Sequence, residues 1–552
     1  MASFLNSTNT GEWTTYLEQA GLAELNTRNI LLALGSMPII AIVLNVISQL
    51  LPADPSKPPL VFHWLPFVGS AVQYGMDPLT FFAENQRKFG NVFTFVLFGR
   101  KVTVCLGPQG NNFVLGGKST VFNAEDAYQH LTAPIFGDDV VYAIPNEKFM
   151  EQKKFVKWAL NTDAFRSYAG LIEHEATEFL NHDSNYKAYQ SGKTDEWGTV
   201  DALEMLAELT ILTAARTLQG KEIRSRMDKT FAHTLSDLDG GFVPINFLFR
   251  NLPLPHNWRR DAAHKKISQF YVDIIKRRRE NRRDDEAEYD IVNALRDQKY
   301  RGGDPVTDSE VGHMLIALLM AGQHTSMSTG SWTLLHIAAD PELGEKLFAE
   351  QVQHFRRPDG TWNPITYDET KDLPLLDAVI RETLRIHPPI HSILRHVRDN
   401  VPVPQSLSAP SENGTYVIPK GYYVLASPAM SQTDATVWDR PFEFDYTRWT
   451  DNTGFAAQAL NEYTDESGEK IDFGFGAVSK GTNSPYQPFG AGRHRCIGEQ
   501  FAYLQLSTII SKFLQELELR MDTPVPRNNY QTMIATPDSP RMIRYRRRTP
   551  AN

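Results

Sequence analysis

The longest apolar stretch of the chain runs from Ile30 to Leu51, 22 residues without a charge. A helix of that length crosses roughly 30 Å, the thickness of the hydrocarbon core of a bilayer. A secretory signal peptide would have a basic start and a shorter apolar core, and this stretch has neither. We therefore predict a single-pass membrane anchor at 30–51, with a core helix as the alternative. An amphipathic, lumenal N-terminal segment at 1–29 would precede it, and a stiff proline-rich linker at 52–59 would follow.

Beyond residue 60 the spacing of apolar positions is mainly helical, with a small β portion. Residues 91–106 predict a hairpin around a Gly-Arg-Lys turn, with Cys105 in the core of its second strand. The other predicted segments are a long helical region at about 147–380, β-rich patches at 392–398 and 416–427, a Gly-, Asp- and Asn-rich surface loop inserted at 451–484, and a helix at 499–518. We predict a mainly α chain with minor β and one large domain over 60–552.

The composition is that of an ordinary globular chain, with 41% apolar and 22% charged residues. A net charge of −9 gives no overall attraction to nucleic acid, and no nucleic-acid partner is expected. Because there are only two cysteines, neither a disulfide framework nor a multi-cysteine metal site is available.

One long helix carries polar residues where its pattern predicts burial. Thr307-Asp-Ser-Glu310 is a capping-box start and Asp340-Pro341 is a stop, so the helix covers about 308–339. Such a helix would cross a whole domain at about 1.5 Å per residue. Its middle, Gly322 to Ser326, combines a poor helix former with Gln, His, Thr and Ser in an apolar element. A histidine here is either a satisfied core residue or part of a site.

Cys496 lies between Gly492 and Gly498 and next to the basic run Arg493–Arg495. Glycines let a backbone approach a flat ligand closely. Nearby cations lower the pKa of a thiol, so we expect the sulfur to be held as a thiolate. A lone thiolate in a basic, glycine-lined loop suits haem iron, with the cations free to meet the propionates. The alternative is a buried structural cysteine in a Gly-rich turn.

The pattern Phe489-x-x-Gly492-x-His494-x-Cys496-x-Gly498 resembles the haem-thiolate loop of the cytochrome P-450 superfamily, with His where most members have Arg. The resemblance implies the cytochrome P-450 fold, and it implies haem b with Cys496 as the axial ligand of the iron. Residues 60–552 would then form a haem-thiolate monooxygenase domain.

A pair on a second predicted helix, Glu382-x-x-Arg385, lies about 110 residues before Cys496. By spacing alone it is an ordinary i,i+3 ion pair, and most such pairs on a protein surface add little to stability. It also resembles the Glu-x-x-Arg motif of the same superfamily, which implies a buried structural network with Arg448.

Three stretches resemble the sterol 14α-demethylase family, and in particular its fungal lanosterol and eburicol members. They are Gly322 to Ser326, Tyr128 to Tyr142 and Asp237 to Asn246. Taken without the resemblance, the last two are aromatic stretches that could be plain core. Ala143 departs from the family pattern, which often has Asp there, so local hydrogen bonding does not carry over.

The resemblance implies roles for individual residues. Proton delivery would fall to Thr325 and His324. The residues expected at the haem are Cys496, Tyr128, Tyr142, Lys157, Arg395, His494, Phe489, Gly490 and Gly498. The residues expected to line the sterol cavity are Tyr128, Leu131, Phe136, Tyr142, Phe242, Ala321, Gly322, Ile390, His391, Ser392, Leu394 and Met533.

The activity implied is removal of the 14α-methyl group of lanosterol or 24-methylenedihydrolanosterol as formate, in ergosterol biosynthesis. O₂ is the oxidant, and NADPH-cytochrome P-450 reductase delivers the electrons, with cytochrome b5 as a further donor. Azole antifungals would bind the haem site. We expect a single-pass protein of the endoplasmic reticulum membrane with a cytoplasmic catalytic domain. The rivals are a peroxide-using haem-thiolate isomerase or dehydratase and a non-catalytic haem or lipid-binding protein.

Overall fold

Helices dominate the computed structural model, which describes residues 27–227, 229–247, 249–280, 289–464 and 481–549. The helices are α1 (Thr27–Leu50), α2 (Ala71–Met76), α3 (Pro78–Phe89), α4 (Gly107–Leu115), α5 (Glu125–Phe136), α6 (Asn146–Ala159), α7 (Thr162–His182), α8 (Lys187–Gln190), α9 (Ala202–Ala214), α10 (Lys221–Arg224), α11 (Lys229–Asp239), α12 (Pro255–Glu280), α13 (Ile291–Arg296), α14 (Asp308–Ala339), α15 (Pro341–Phe355), α16 (Pro374–Ile386), α17 (Pro428–Gln432), α18 (Phe455–Thr464) and α19 (Glu499–Glu516). The prediction of a mainly α chain is confirmed.

The strands form small sheets, as expected. They are β1 (Val92–Leu97), β2 (Arg100–Cys105), β3 (Phe122–Asn123), β4 (Gly198–Asp201), β5 (Ile393–Val397), β6 (Val401–Pro402), β7 (Val417–Ile418), β8 (Tyr423–Ala426), β9 (Leu517–Arg520), β10 (Asn528–Asn529), β11 (Thr536–Pro537) and β12 (Met542–Arg547). The largest sheet has the order β1-β2-β8-β5-β3, and β4-β12-β9 form a second sheet near the C-terminus.

The predicted hairpin is present, because β1 and β2 pair antiparallel from Val92 opposite Cys105 to Leu97 opposite Arg100. Strand β2 then runs parallel to β8, with Cys105 opposite Ala426. Cys105 is fully buried, which confirms its place in the core. Because β5 pairs with β8 in the same sheet, the sheet fixes Arg395 opposite Val424.

The helix α14 has the predicted bounds and cap. Glu310 donates its backbone N–H to Thr307 Oγ1 at 3.1 Å, and Thr307 donates its own N–H to Glu310 Oε2 at 2.8 Å. Its 32 residues pack against α9, α12, α16 and α19 in the main hydrophobic core. Such a helix spans about 48 Å, so it can present its middle to a cavity while both ends are held in the core.

The expectation of a surface loop at 451–484 is wrong for part of that range. Residues Phe455–Thr464 form α18, and Tyr463 on it is only 1% exposed. Thr482 and Ser484 are also buried. The spacing of Ala456, Ala459 and Tyr463 gives this segment an apolar helical face, which the surrounding Gly, Asp and Asn concealed. Residues 465–480 lie outside the described residues.

The predicted anchor coincides with α1, which contains Pro38. Residues 1–26 of the predicted lumenal segment lie outside the described residues. Where side chains are described, no helix has both the length and the apolar character needed to cross a membrane. The described part of α1 nevertheless exposes apolar side chains: Met37, Ile39, Ile40, Val43, Leu44, Ile47 and Leu50.

Candidate active site

A cavity of about 910 Å³ lies between α5, the middle of α14, and the chain segments around 389–395, 488–498 and 530–534. Its walls are mostly apolar, and the sulfur of Cys496 faces into it. An apolar cavity with a few polar groups is the usual form of a site for a hydrophobic small molecule.

The Cys496 loop is shaped by two glycines in the left-handed region, Gly490 at φ 68° and Gly492 at φ 66°. A Cβ at Gly492 would lie 2.3 Å from the carbonyl oxygen of Leu115, so only glycine fits. The loop closes through the N–H of Cys496, which donates to the carbonyl of Phe489 at 3.0 Å. The N–H of Gly498 donates to Cys496 Sγ at 3.3 Å. These bonds hold the sulfur toward the cavity.

The expectation that neighbouring cations hold Cys496 as a thiolate is wrong for the protein alone. Burial raises the pKa of this thiol, and Lys153 and Arg495 oppose that rise without overcoming it. Cys496 has accessible surface, and it borders the cavity. A thiol of this kind becomes a thiolate when a metal displaces its proton.

The predicted haem residues converge on one side of the cavity. Tyr128 and Tyr142 stack with their ring centroids 5.2 Å apart, and the Tyr128 hydroxyl accepts the N–H of Leu394 at 2.8 Å. Burial raises the pKa of Tyr142 to about 12, so its hydroxyl keeps its proton. Arg395 is buried at 4% exposure. Hydroxyl donors and a buried guanidinium are suited to binding carboxylates.

Lys157, the lysine predicted at the haem, is half-buried and, like Lys153, does not line the cavity, so its role stays a prediction. Lys153, one turn earlier on α6, is the lysine at the loop. Its Nζ donates to the carbonyls of Arg493 at 3.1 Å and Arg495 at 2.8 Å. Burial lowers the pKa of Lys153 to about 7. The sequence offered a partial signal: Lys153 lies three residues from both Met150 and Val156 on the buried stripe of α6, but Lys157 lies four residues further along the same face.

His494 is held by two residues that sequence reasoning missed. Asn146 Nδ2 donates to Glu125 Oε1 at 2.9 Å and lies 3.5 Å from His494 Nε2. Phe149 stacks on the imidazole at 5.9 Å between centroids. Burial, reinforced by Arg395, holds the pKa of His494 well below its usual range. The ring is therefore neutral, and its other nitrogen, Nδ1, is buried without a hydrogen-bond partner among the described residues.

These residues fit a haem group. A buried guanidinium, two tyrosine hydroxyls, an unpartnered imidazole nitrogen and a single cysteine line the cavity, and the buried Lys153 holds the loop that carries the cysteine. Buried polar atoms without partners are rare in folded proteins, so His494 Nδ1 requires a ligand or water. Among the described residues there is no group of three or more His, Cys, Asp or Glu suited to a metal ion.

Helix α14 brings Ala321, Gly322 and Thr325 to the cavity wall, as expected. Thr325 Oγ1 donates to the Ala321 carbonyl at 2.9 Å. A Cβ at Gly322 would meet no protein atom closer than 4.0 Å, so this glycine leaves space for a ligand. His324 is not on the wall. Its Nε2 lies 3.2 Å from Asp239 Oδ1 on α11.

The structure brings every residue predicted to contact substrate to the wall of this cavity. Phe136 and Phe242 meet edge to face at 5.9 Å between centroids. His391 Nδ1 lies 2.8 Å from Ser392 Oγ, and burial lowers the pKa of this histidine to about 4. The ring is therefore neutral near pH 7. Further lining residues that no motif marked are Val68, Tyr74, Met76, Phe98 and Tyr530.

The predicted network around Glu382 is present away from the cavity. Arg385 pairs with Glu382 through Nη2 to Oε1 at 2.8 Å, both side chains being fully buried. Arg448 Nε lies 3.3 Å from Glu382 Oε1, and Trp449 donates its indole N–H to Glu382 Oε2 at 2.9 Å. Arg385 also donates to the carbonyls of Gln432, Pro441 and Glu443. Buried charges that are paired and bonded in this way tie α16 to the backbone at those three carbonyls.

Comparison with known proteins agrees with this geometry. The cytochrome P450 family model matches residues 58–545. The chain is 49% identical to the lanosterol 14-alpha demethylase of Mycosarcoma maydis, over 91% of this chain and 90% of that protein. It is 48% identical to the lanosterol 14-alpha demethylase of Schizosaccharomyces pombe, over 91% and 96%. It is 44% identical to the eburicol 14-alpha-demethylase of Uncinula necator, over 92% and 94%.

Among solved structures, the retinoic acid-bound cyanobacterial CYP120A1 superposes with a TM-score of 0.70, covering 90% of this chain and 100% of that one. Its 19% sequence identity makes it a comparison of fold alone. Fold, cysteine loop and relatives agree, and the chain belongs to the cytochrome P450 family, within the branch of the sterol 14α-demethylases.

Proposed function

We propose that this protein is a sterol 14α-demethylase, a monooxygenase that removes the 14α-methyl group of lanosterol or 24-methylenedihydrolanosterol. The methyl carbon passes through an alcohol and an aldehyde, leaves as formate, and the sterol gains a 14,15 double bond. One observation carries the proposal: Cys496 and Thr325 both line one mostly apolar cavity of about 910 Å³. Relatives named for this activity support the choice of substrate.

The residues that line the cavity support separate roles in binding the cofactor and the sterol. Cys496 would ligate the iron of haem b, and Tyr128, Tyr142, Lys153, Arg395 and His494 would hold its propionates. When bound, haem with a thiolate ligand supplies the oxygen-activating chemistry of the reaction. The sterol would lie against Leu131, Phe136, Phe242 and Ile390, where apolar walls exclude water. The same cavity would bind azole inhibitors.

We assign proton delivery inside the cavity to Thr325, one of the hydroxyl residues that line it. Its Oγ1 is the hydroxyl of α14 next to the gap left by Gly322, and it is held by the Ala321 carbonyl. His324 does not line the cavity, and we assign it to supplying protons to Thr325. Its Nε2 faces Asp239, a carboxylate whose side chain is 46% exposed and can exchange protons with solvent. General acids of this kind contribute roughly 10²- to 10⁴-fold to a rate.

Electrons would come from NADPH through NADPH-cytochrome P-450 reductase, with cytochrome b5 as a second donor. We infer docking on the face of the molecule next to the Cys496 loop, where Arg493 and the half-buried Lys157 add positive charge. Opposite charge across an interface mainly accelerates the encounter and orients the partners.

We further infer that α1 anchors the protein in the endoplasmic reticulum membrane, with the catalytic domain in the cytoplasm. The exposed apolar side chains of α1 support attachment to a membrane. Lys57, Arg87 and Lys88 follow the helix in sequence, and basic residues favour the cytoplasmic side.

The test is spectroscopic. The reduced, CO-bound protein is expected to show the thiolate-haem band, and lanosterol added to the oxidised protein is expected to shift the haem from low to high spin. C496S should lose the thiolate band. A thiolate band without any sterol-induced shift would contradict the substrate, and retention of full activity by C496S would contradict the assignment of Cys496.

A further inference from the structure

The loop between α5 and α6 has one face toward the cavity and one face toward the protein. We call residues 137–142 the substrate loop, because Phe136 immediately before it and Tyr142 at its end line the cavity. On its other face lies a group of polar side chains that the function above does not use: Asp139 of the loop, His313 of α14 and Ser268 of α12.

His313 joins these three elements through both of its ring nitrogens. Nδ1 lies 2.5 Å from Asp139 Oδ1, and Nε2 lies 3.1 Å from Ser268 Oγ. The His313 side chain is 12% exposed and that of Asp139 is 31% exposed. An ionised carboxylate only accepts hydrogen bonds. His313 Nδ1 must therefore carry a hydrogen and donate a hydrogen bond to Asp139. Hydrogen bonds to a charged group are about twice as strong as neutral ones.

The backbone at Gly137, where the substrate loop begins, packs closely against the His313 ring. Gly137 ends α5 at φ 116°, a conformation that L side chains rarely adopt. A Cβ at Gly137 would lie 2.3 Å from His313 Nδ1. Moving the loop would break the bond to Asp139, and moving the ring would open a gap beside Gly137. Loop and ring therefore fix each other.

Other contacts hold Asp139 more weakly or through its backbone. Gln152 Nε2 of α6 donates to the Asp139 carbonyl at 2.9 Å, and Ser309 Oγ lies 3.2 Å from Asp139 Oδ2 in an exposed position. The ring of His264 of α12 lies tilted by 38° against that of His313, with centroids 4.9 Å apart. The bond from His313 is the shortest of the side-chain contacts to Asp139, and it alone continues to α12.

We propose that His313 is a positioning residue for substrate, which clamps the substrate loop to α14 and so sets the positions of Phe136 and Tyr142 in the cavity. The role rests on the proposed function only insofar as the cavity binds sterol. If His313 only stabilised the fold, losing the hydrogen bond of either ring nitrogen would affect substrate binding equally. The clamp requires a donor toward Asp139, while the bond to Ser268 contributes less because Ser268 is a neutral hydroxyl.

Two substitutions of His313 distinguish the hydrogen bond made by Nδ1 from the one made by Nε2. H313N keeps an amide N–H near the position of Nδ1 and loses the reach to Ser268. H313Q reaches toward Ser268 and loses the short bond to Asp139. In the haem-containing enzyme, H313Q is expected to raise the lanosterol dissociation constant and KM about tenfold, with kcat changed less than threefold. H313N is expected to recover both constants to within about threefold of wild type, and D139A should match H313Q.

Amide hydrogen exchange of residues 137–142 supplies a readout that does not depend on turnover. Exchange is expected to be faster in H313Q and D139A than in H313N, while the thiolate band stays intact in all three. Equal effects of H313N and H313Q on binding and exchange would overturn the clamp. If the wild-type enzyme fails to bind lanosterol, the proposed function falls, and the difference in exchange between H313N and H313Q still decides the clamp.

Discussion

Lys153 and Lys157 occupy successive turns of α6 and differ in what they contact. Lys153 Nζ is enclosed by the Cys496 loop and donates to the carbonyls of Arg493 and Arg495. Lys157 is half-buried, and neither lysine lines the cavity itself. A buried ammonium group with a pKa near 7 is easily held in its charged form by an added anion, so Lys153 is suited to a propionate.

Replacing Lys153 should therefore weaken haem binding while replacing Lys157 should not. K153M removes the cation and leaves two buried carbonyls without their donor, so we expect haem loss to be accelerated about tenfold or more. K157M is the matched control and should stay within about twofold of wild type. Transfer of haem to apomyoglobin measures both rates. Faster loss from K157M than from K153M would restore the original assignment.

Single residues with a distinctive neighbourhood could be placed from the sequence, and those defined by orientation could not. Cys496 is marked by Gly492 and Gly498 on either side. The choice between Lys153 and Lys157 depends on which turn of α6 faces the loop, and residues four apart share a helix face. The direction of the Cys496 pKa shift could not be predicted from the sequence either. The number of nearby cations does not show how far burial disfavours the charged thiolate.

At the scale of elements, α18 supports the Cys496 loop. Tyr463 on this helix donates its hydroxyl to the carbonyl of Gly490 at 2.9 Å. Arg495 stacks its guanidinium on the ring at 3.5 Å and donates to the Tyr463 carbonyl at 2.6 Å. The Tyr463 side chain is only 1% exposed, and it contacts the Cys496 loop through its hydroxyl and through its ring. Helix α18 therefore supports the loop that would bind haem.

Truncating this side chain should destabilise the protein strongly. Y463F loses one hydrogen bond and should lower the free energy of unfolding by about 1 kcal/mol. Y463A also leaves a cavity and should cost about 3–5 kcal/mol. E462A, at an exposed neighbouring position, should stay within about 0.5 kcal/mol of wild type. Urea unfolding followed by loss of the thiolate band gives these values. A Y463A variant as stable as E462A would show that α18 does not support the loop.

Elements with strong local signals were predictable. Helix α14 has its capping box and its stop in the sequence, and the hairpin of β1 and β2 has its turn. Helix α18 was missed because its ten residues are flanked by turn-forming residues and its burial comes from contacts distant in sequence. The clamp at His313 was missed for the same reason, since Asp139 and His313 are 174 residues apart.

At the scale of the whole molecule, exposed apolar side chains gather at the N-terminal end. Those of α1 continue into a second group after it, formed by Trp64, Phe67, Val72 and Met76, each at least 50% exposed. Hydrogen bonds hold the two groups together, because Asn45 Nδ2 and Gln49 Nε2 both donate to the carbonyl of His63 at 2.8 Å. Exposed apolar patches of this extent mark surfaces that contact lipid or another protein.

Membrane attachment should therefore have two separable parts. We expect the full chain to stay with phospholipid vesicles through an alkaline carbonate wash, because α1 supplies an apolar segment within the bilayer. A chain beginning at residue 52 should be released by carbonate yet still sediment with vesicles at neutral pH. Adding W64S and F67S to that shortened chain should abolish sedimentation, since interfacial binding scales with buried apolar area. The thiolate band verifies the fold of each variant. Recovery of the full chain in the carbonate supernatant would contradict anchoring by α1, and binding of the doubly substituted chain would contradict the role of the second group.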